Sequence, residues 1–216
     1  MSQTTLRYDP DEAVRALREA DATLAELIDR AGPFSLEPER VQHTPFEALL
    51  RAIIYQQLST KAAGAIWGRV RELFPGRARP TPKRLLALDP EALRGAGMSR
   101  SKVASARDLS EKTIEGVVPS LAKLEAMEDD EILERLTGVR GIGRWTVEML
   151  LLARLGRPDV FPVHDLGIRR GYMITYGLDE MPTPKELEPL GDPWRPYRSV
   201  ASWYMWRAVH LSRDAA

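Results

Sequence analysis

Residues Leu136-Thr137-Gly138-Val139-Arg140-Gly141-Ile142-Gly143-Arg144-Trp145-Thr146-Val147 decide how this sequence is read. An acidic amphipathic segment, Asp129 to Leu136, runs into a short turn with three glycines in six residues, and a second helical segment begins at Gly143. Glycine permits positive φ and lets a partner approach the backbone closely. A helix that starts there presents unpaired N–H groups and the positive end of its dipole, which suits a phosphate. Ile142 is placed to plug between the two helices. By itself a glycine-rich turn is a weak sign, because many helix–helix connections contain one.

The flanking sequence is helical throughout. A capping residue followed by proline occurs at Asp9-Pro10, Thr44-Pro45, Thr81-Pro82, Asp89-Pro90 and Thr183-Pro184. At such a pair the side-chain oxygen accepts an orphan N–H, and proline occupies the first turn, where its missing N–H costs nothing. Apolar residues then recur at helical spacing, as in Phe46, Leu49, Leu50, Ile53 and Ile54, in Ile132, Leu133 and Leu136, and in Val147, Leu150, Leu151 and Leu155. Sustained strand-length alternation is hard to find and β-branched residues are sparse, so the pattern predicts an all-α fold of about ten helices, with Phe74-Pro75-Gly76 and Gly156-Arg157-Pro158 as joints and no internal repeat. One N-terminal helix is expected over Asp11–Ala31. The division expected is an N-terminal helix in 1–43, a helical subdomain over 44–136, and a segment 137–216 that completes a second subdomain with 1–43, the two flanking a cleft.

Composition excludes several function classes. The 216 residues carry 31 Lys+Arg against 31 Asp+Glu, and 44% hydrophobic with 29% charged residues is ordinary for a globular protein rather than a disordered one. With no cysteine there is no disulfide, no thiolate metal site and no Cys nucleophile, and the three histidines, His43, His164 and His210, lie far apart. No apolar run approaches membrane length, and the first residues lack the apolar core of a secretory signal; a cytoplasmic, nucleoid-associated monomer is expected. The neutral total hides segregation. Arg77–Arg107 holds eight basic and two acidic residues, Arg195–Arg213 four arginines and no acid, and Glu125–Glu134 six acids. The basic blocks either converge on a phosphate-binding face or are solvated helix faces; charge does not decide between them.

The wider pattern resembles the helix-hairpin-helix DNA glycosylases of base excision repair, and within them the 3-methyladenine DNA glycosylase II family. The sequence Val160-Phe161-Pro162-Val163-His164-Asp165 puts an aspartate about twenty residues past the hairpin, Arg51-Ala52-Ile53-Ile54-Tyr55-Gln56-Gln57-Leu58-Ser59 is similar to the family's early helix and the loop after it, and Asp192-Pro193-Trp194-Arg195-Pro196-Tyr197-Arg198-Ser199 leading to Trp206 resembles its closing helix. The resemblance spans Thr44 to Leu211. The stretch before Thr44 is too short for the N-terminal α/β domain of some members. Bifunctional members carry a nucleophilic lysine two residues after the last hairpin glycine; here that position is Trp145, and the four-cysteine cluster loop of other members has no counterpart. A monofunctional enzyme is implied, acting on double-stranded DNA with alkylated bases such as 3-methyladenine and 7-methylguanine.

The resemblance assigns roles residue by residue. Asp165 is the catalytic carboxylate, stabilising the sugar cation that builds up as the base leaves; read without the hairpin, an aspartate at a helix start is more often only an N-cap. Trp145, Trp203, Trp206 and Tyr55, with Gln56, are the base-pocket candidates, since electron-rich rings favour a cationic base; Trp203 and Trp206, three apart, equally suit a core face. Gln57 or Leu58 is the wedge that fills the gap left by the flipped nucleotide, Leu58 by its apolar character and Gln57 by position, or the two simply end a helix. Gly141, Gly143, Arg144 and Thr146 are the phosphate contacts. No cofactor is required, although the carbonyls of Thr137, Val139 and Ile142 match those that hold a structural Na+ or K+ in the family. Two other readings stand: a non-catalytic duplex-binding protein, for which Asp165 would have no use, and a monofunctional glycosylase for mismatched bases.

Overall fold

The computed structural model describes residues 6–36, 44–74, 76 and 79–214. These form thirteen α-helices in chain order: α1 Pro10–Ala20, α2 Ala22–Ala31, α3 Pro45–Tyr55, α4 Thr60–Glu72, α5 Pro82–Leu86, α6 Pro90–Gly95, α7 Arg100–Ile114, α8 Leu121–Ala126, α9 Asp129–Thr137, α10 Arg144–Met149, α11 Leu166–Tyr176, α12 Pro184–Leu190 and α13 Arg198–Asp214. No strand occurs among the described residues. His43 and Pro75 lie outside them.

All five cap–proline pairs start helices. Asp9, Thr44, Thr81, Asp89 and Thr183 each accept backbone N–H groups of the first turn, and Thr183 with Glu186 forms a reciprocal capping box. The N-terminal segment differs from the single helix expected. It breaks at Asp21, which adopts extended φ/ψ, ends α1 and caps α2 through Leu24 N–H. The break lets the carboxylate accept hydrogen bonds from the Tyr176 hydroxyl and from Trp194 Nε1 (3.0 Å). Burial alone would raise the Asp21 carboxyl, but these hydrogen bonds hold it below its ordinary value.

The contacts divide the chain into two units, Val41–Val147 and Met1–Arg40 with Glu148–Ala216. The hairpin therefore falls with the helices before it, whereas the sequence boundary was drawn at 136/137. The physical reason is local. Asp108 Oδ2 accepts Arg140 N–H at 2.8 Å and Gln56 Nε2 donates to Gly141 O at 2.8 Å, so α7 and the end of α3 hold the turn. In this unit Phe46, Leu49, Leu50, Ile53 and Ile54 of α3 are all buried, and α3, α4 and α5 pack with one another or against α7.

The other unit is built on the crossing of α11 and α13, with α1 and α2 against them. A Cβ on Gly171 would sit 2.1 Å from Met205 O and one on Gly167 2.8 Å from Trp206 Cδ1. Only hydrogen at these two positions, one helical turn apart, lets α13 come so near. Ala13, Leu17, Leu24, Leu27, Phe161, Ile168, Tyr172, Trp194, Tyr204 and Met205 fill the core of this unit, with Phe161 edge-on to Trp194 at 5.3 Å. After Met149 the helix widens into a π-helical turn, Leu150–Arg154.

Candidate functional site

The candidate residues fall into two groups, one in each unit. In the first unit the hairpin residues 138–143 connect α9 to α10. Val139 and Ile142 are buried at 2% and 3% exposure, and Ile142 N–H donates to Val139 O at 3.0 Å; Ile142 is the plug its position suggested. The left-handed backbone belongs to Gly141, at φ 78, where a Cβ would meet Ser105 Oγ at 2.6 Å. Gly143 has no positive φ. Its carbonyl accepts Thr146 and Val147 N–H at the start of α10, and nothing lies within 4 Å of where its Cβ would be. The space beside Gly143 is open to a partner.

Arg144 and Trp145 are exposed in the first turn of α10, Trp145 by 46%. Thr146 is buried, at 7% exposure, and its N–H donates to Gly143 O. Thr137, Val139 and Ile142, with Asp108, Gly138 and Arg140, line a shallow depression of about 530 Å³. Backbone carbonyls are the hard oxygen donors that such cations take, and of the three matched here Val139 O already accepts Ile142 N–H.

The turn after α3 is exposed at Gln57 and Leu58, Leu58 by 40%. Gln57 has φ 58, left-handed for a residue with a side chain. Leu58 N–H donates to Tyr55 O at 3.3 Å and Ser59 caps α4. Gln56 Nε2 donates to Gly141 O, 85 residues away, which leaves its second N–H and its Oε1 for other partners. Tyr55 is half-buried with the Arg51 guanidinium 4.4 Å from its ring centroid.

In the second unit Asp165 stands at the N-cap of α11, where Oδ1 accepts Ile168 N–H at 2.9 Å. It is therefore the cap that its position predicted. The same Oδ1 also accepts Trp206 Nε1–H at 2.9 Å. Gly167 makes this pairing possible, since a Cβ there would press on both Trp206 and Asp165 Oδ1. Next to Asp165, Leu166 is 63% exposed. Trp203 is half-buried and packs edge-on against Phe34 at 5.2 Å and Tyr204 at 4.9 Å.

The loop that delivers Asp165 is fastened to the start of α13. Arg198 makes a two-pronged ion pair with Asp159, at 2.6 and 2.9 Å, and Arg195 Nη1 joins the same carboxylate at 2.6 Å. Ser199 Oγ donates to Arg157 O at 2.7 Å and accepts Val160 N–H at 2.9 Å, and Ser202 Oγ donates to Val160 O at 3.2 Å. Two arginines of the C-terminal basic block, Arg195 and Arg198, are thus paired with Asp159. Sequence reading passed over Asp159, Ser199, Gly167 and Gly171. The four-residue spacing of the two glycines was the available signal. It also missed that the turn Gly97-Met98-Ser99 repeats the hairpin's local plan, with a positive-φ glycine (103°), a buried apolar residue and a helix-starting cap.

Two helices, α9 and α10, joined by a glycine-containing hairpin define a helix-hairpin-helix protein, and here a helix-capping aspartate follows. The chain belongs to the HhH-GPD superfamily of base excision DNA repair proteins, whose family model matches residues 50–196. It is similar to DNA-3-methyladenine glycosylase 1 of Schizosaccharomyces pombe, 35% identical over 211 residues that cover 94% of this chain and 92% of the relative. The structure resembles that of the S. pombe 3-methyladenine DNA glycosylase in complex with abasic DNA, with a TM-score of 0.81 and 36% identity over 91% of this chain and 95% of that one. It also resembles DNA-3-methyladenine glycosidase from Bacillus halodurans, with a TM-score of 0.84 and 38% identity over 94% of this chain and 91% of that one. No helix among the described residues is long and apolar enough to cross a membrane.

Proposed function

We propose that this protein is a monofunctional DNA glycosylase that binds duplex DNA, flips out alkylated bases such as 3-methyladenine and 7-methylguanine, and hydrolyses their N-glycosidic bond. The observation that carries the reading is the Asp165–Trp206 pair. A carboxylate used only as a cap has no need of an indole donor on the oxygen that caps; here two donors fix its orientation. A carboxylate so held stabilises the oxocarbenium character that develops at C1′ and aligns water for attack. An N-methylated purine already carries positive charge and leaves readily, so the enzyme needs to expose and hold it rather than protonate it.

The remaining residues divide the work of binding. Gly141 and Gly143 let a phosphate approach the start of α10, with Arg144 beside it. Thr137, Val139 and Ile142 would offer carbonyls to a Na+ or K+, which supplies positive charge toward a phosphate. Gln57, at the exposed tip after α3 and in a conformation rare for its type, fits the wedge, with Leu58 next to it. Each unit carries its own aromatic candidates for a base, Trp145 and Tyr55 in the one and Trp206, bonded to Asp165, in the other.

The test is release of free base from globally methylated duplex DNA, with products separated by chromatography. Release of 3-methyladenine or 7-methylguanine is expected, leaving an intact abasic strand, because Trp145 has no amine with which to form a Schiff base. Duplex binding without release of any base supports the non-catalytic reading instead, and a borohydride-trapped adduct contradicts the monofunctional one.

A further inference from the structure

The turn after α3 contains no glycine, yet Gln57 has φ 58. A side-chain-bearing residue holds that conformation only where its surroundings over-determine it. The surroundings here are specific. Lys102 Nζ donates to Ile54 O and to Gln56 O, each at 2.7 Å. These carbonyls lie at the C-terminal end of α3, where the helix dipole is negative and an ammonium is favoured. Burial pushes the Lys102 amine below its ordinary value, so bringing the cation there is opposed by desolvation and offset by the two carbonyls. The Gln56 side chain is meanwhile tied to Gly141 O. The residue before Gln57 is thus held by its carbonyl and by its amide.

Lys102 belongs to a row on α7. Three residues further on, Ser105 Oγ fills the space beside Gly141, and after three more Asp108 accepts Arg140 N–H. Residues spaced by three share a helix face. One face of α7 therefore fixes both the turn that carries Gln57 and Leu58 and the hairpin.

We propose that Lys102 is a positioning residue for base flipping: its clamp on Ile54 O and Gln56 O holds the Gln57–Leu58 turn ready for insertion before DNA arrives. This rests on the glycosylase reading above. Lys102 acts through the turn and touches neither base nor sugar.

The experiment compares wild type, Lys102→Met and Lys102→Arg in single-turnover release of 7-methylguanine. One duplex has the lesion paired with cytosine, and another has it opposite an abasic site, where no base pair has to be broken and extrusion costs less. Lys102→Met is expected to be slower by about tenfold on the paired duplex, the loss of hydrogen bonds from a charged donor, and within about twofold of wild type on the unpaired one. Lys102→Arg, which keeps a cation and donors, is expected to recover most of the rate. Fluorescence of a 2-aminopurine next to the lesion should rise more slowly with Lys102→Met. If Lys102→Met does not fold, Lys102→Gln, which retains one donor pair, serves for the same comparison. Equal deficits on the two duplexes, or none, overturn the positioning role while leaving the glycosylase reading intact. A wild-type protein that releases no base from either duplex overturns both.

Discussion

Trp206 and Asp165 are 41 residues apart in sequence, and the indole N–H of the one donates to Oδ1 of the other at 2.9 Å. The geometry depends on Gly167, whose missing side chain is the space in which the ring and the carboxylate oxygen meet. Asp165 is held from its own helix by Ile168 N–H and from α13 by the indole. Two fixed donors remove the rotamer freedom that an N-cap aspartate otherwise keeps, which is the preorganisation that stabilisation of a developing charge requires.

Asp165→Asn keeps an oxygen for Ile168 and Trp206, so the cap and the fold should survive. Base release should fall by about 10²–10³, the usual loss on removing a specific electrostatic contact with a transition state. Duplex affinity should be unchanged. Release of 3-methyladenine at the wild-type rate in a single-turnover assay would show that Asp165 is a cap and nothing more.

Trp206→Phe retains an aromatic ring and removes the donor. The rate of base release should drop by about tenfold, as expected for losing a hydrogen bond to a charged acceptor, with only a small change in Tm. An unchanged rate would assign the indole to packing alone.

The two hairpin glycines should respond differently. Gly141→Val forces a β-branched residue into left-handed backbone against Ser105 and should destabilise the fold by about 1–2 kcal/mol or more. Gly143→Val meets open space and no positive φ, so its stability loss should stay at about 1 kcal/mol or less, the difference of a poorer cap. A melted Gly141→Val beside a folded Gly143→Val with weakened binding to every duplex is the expected pair of results, because phosphate contacts carry no sequence information. Thermal melting and fluorescence-anisotropy titration on an abasic-analogue duplex measure both; wild-type affinity in Gly143→Val would make the hairpin a connector only.

Arg198→Met should destabilise the protein by about 1.5–3 kcal/mol, since it leaves the Asp159 carboxylate short of its two-pronged partner. Asp159→Asn should cost a similar amount, and the double variant less than the sum, because both changes break one interaction. Base release should fall in Arg198→Met, as the loop leading to Asp165 loses its tie to α13. Additive losses in denaturant melts would mean that the pair is not the tie.

The sequence alone determined what is local. Each cap–proline pair started its helix because a cap is satisfied by N–H groups two or three residues away, and the α3 apolar spacing marked a buried face because helix periodicity requires nothing from the rest of the chain. The hairpin, the capping Asp165 and the lysine-free position 145 were legible for the same reason. Only the tertiary structure decided which glycine carries positive φ, since Ser105 on another helix fills the space beside Gly141. It alone broke the N-terminal helix at Asp21, whose partners Tyr176 and Trp194 lie far along the chain, and tied the Gln56 amide to the hairpin. It also paired Arg195 and Arg198 with Asp159. These outcomes depend on partners 36 to 173 residues away, and nothing in local sequence says which distant donor a carboxylate or carbonyl will meet. That choice is made by the close crossing of α11 and α13 and by the face that α7 turns toward α3 and the hairpin.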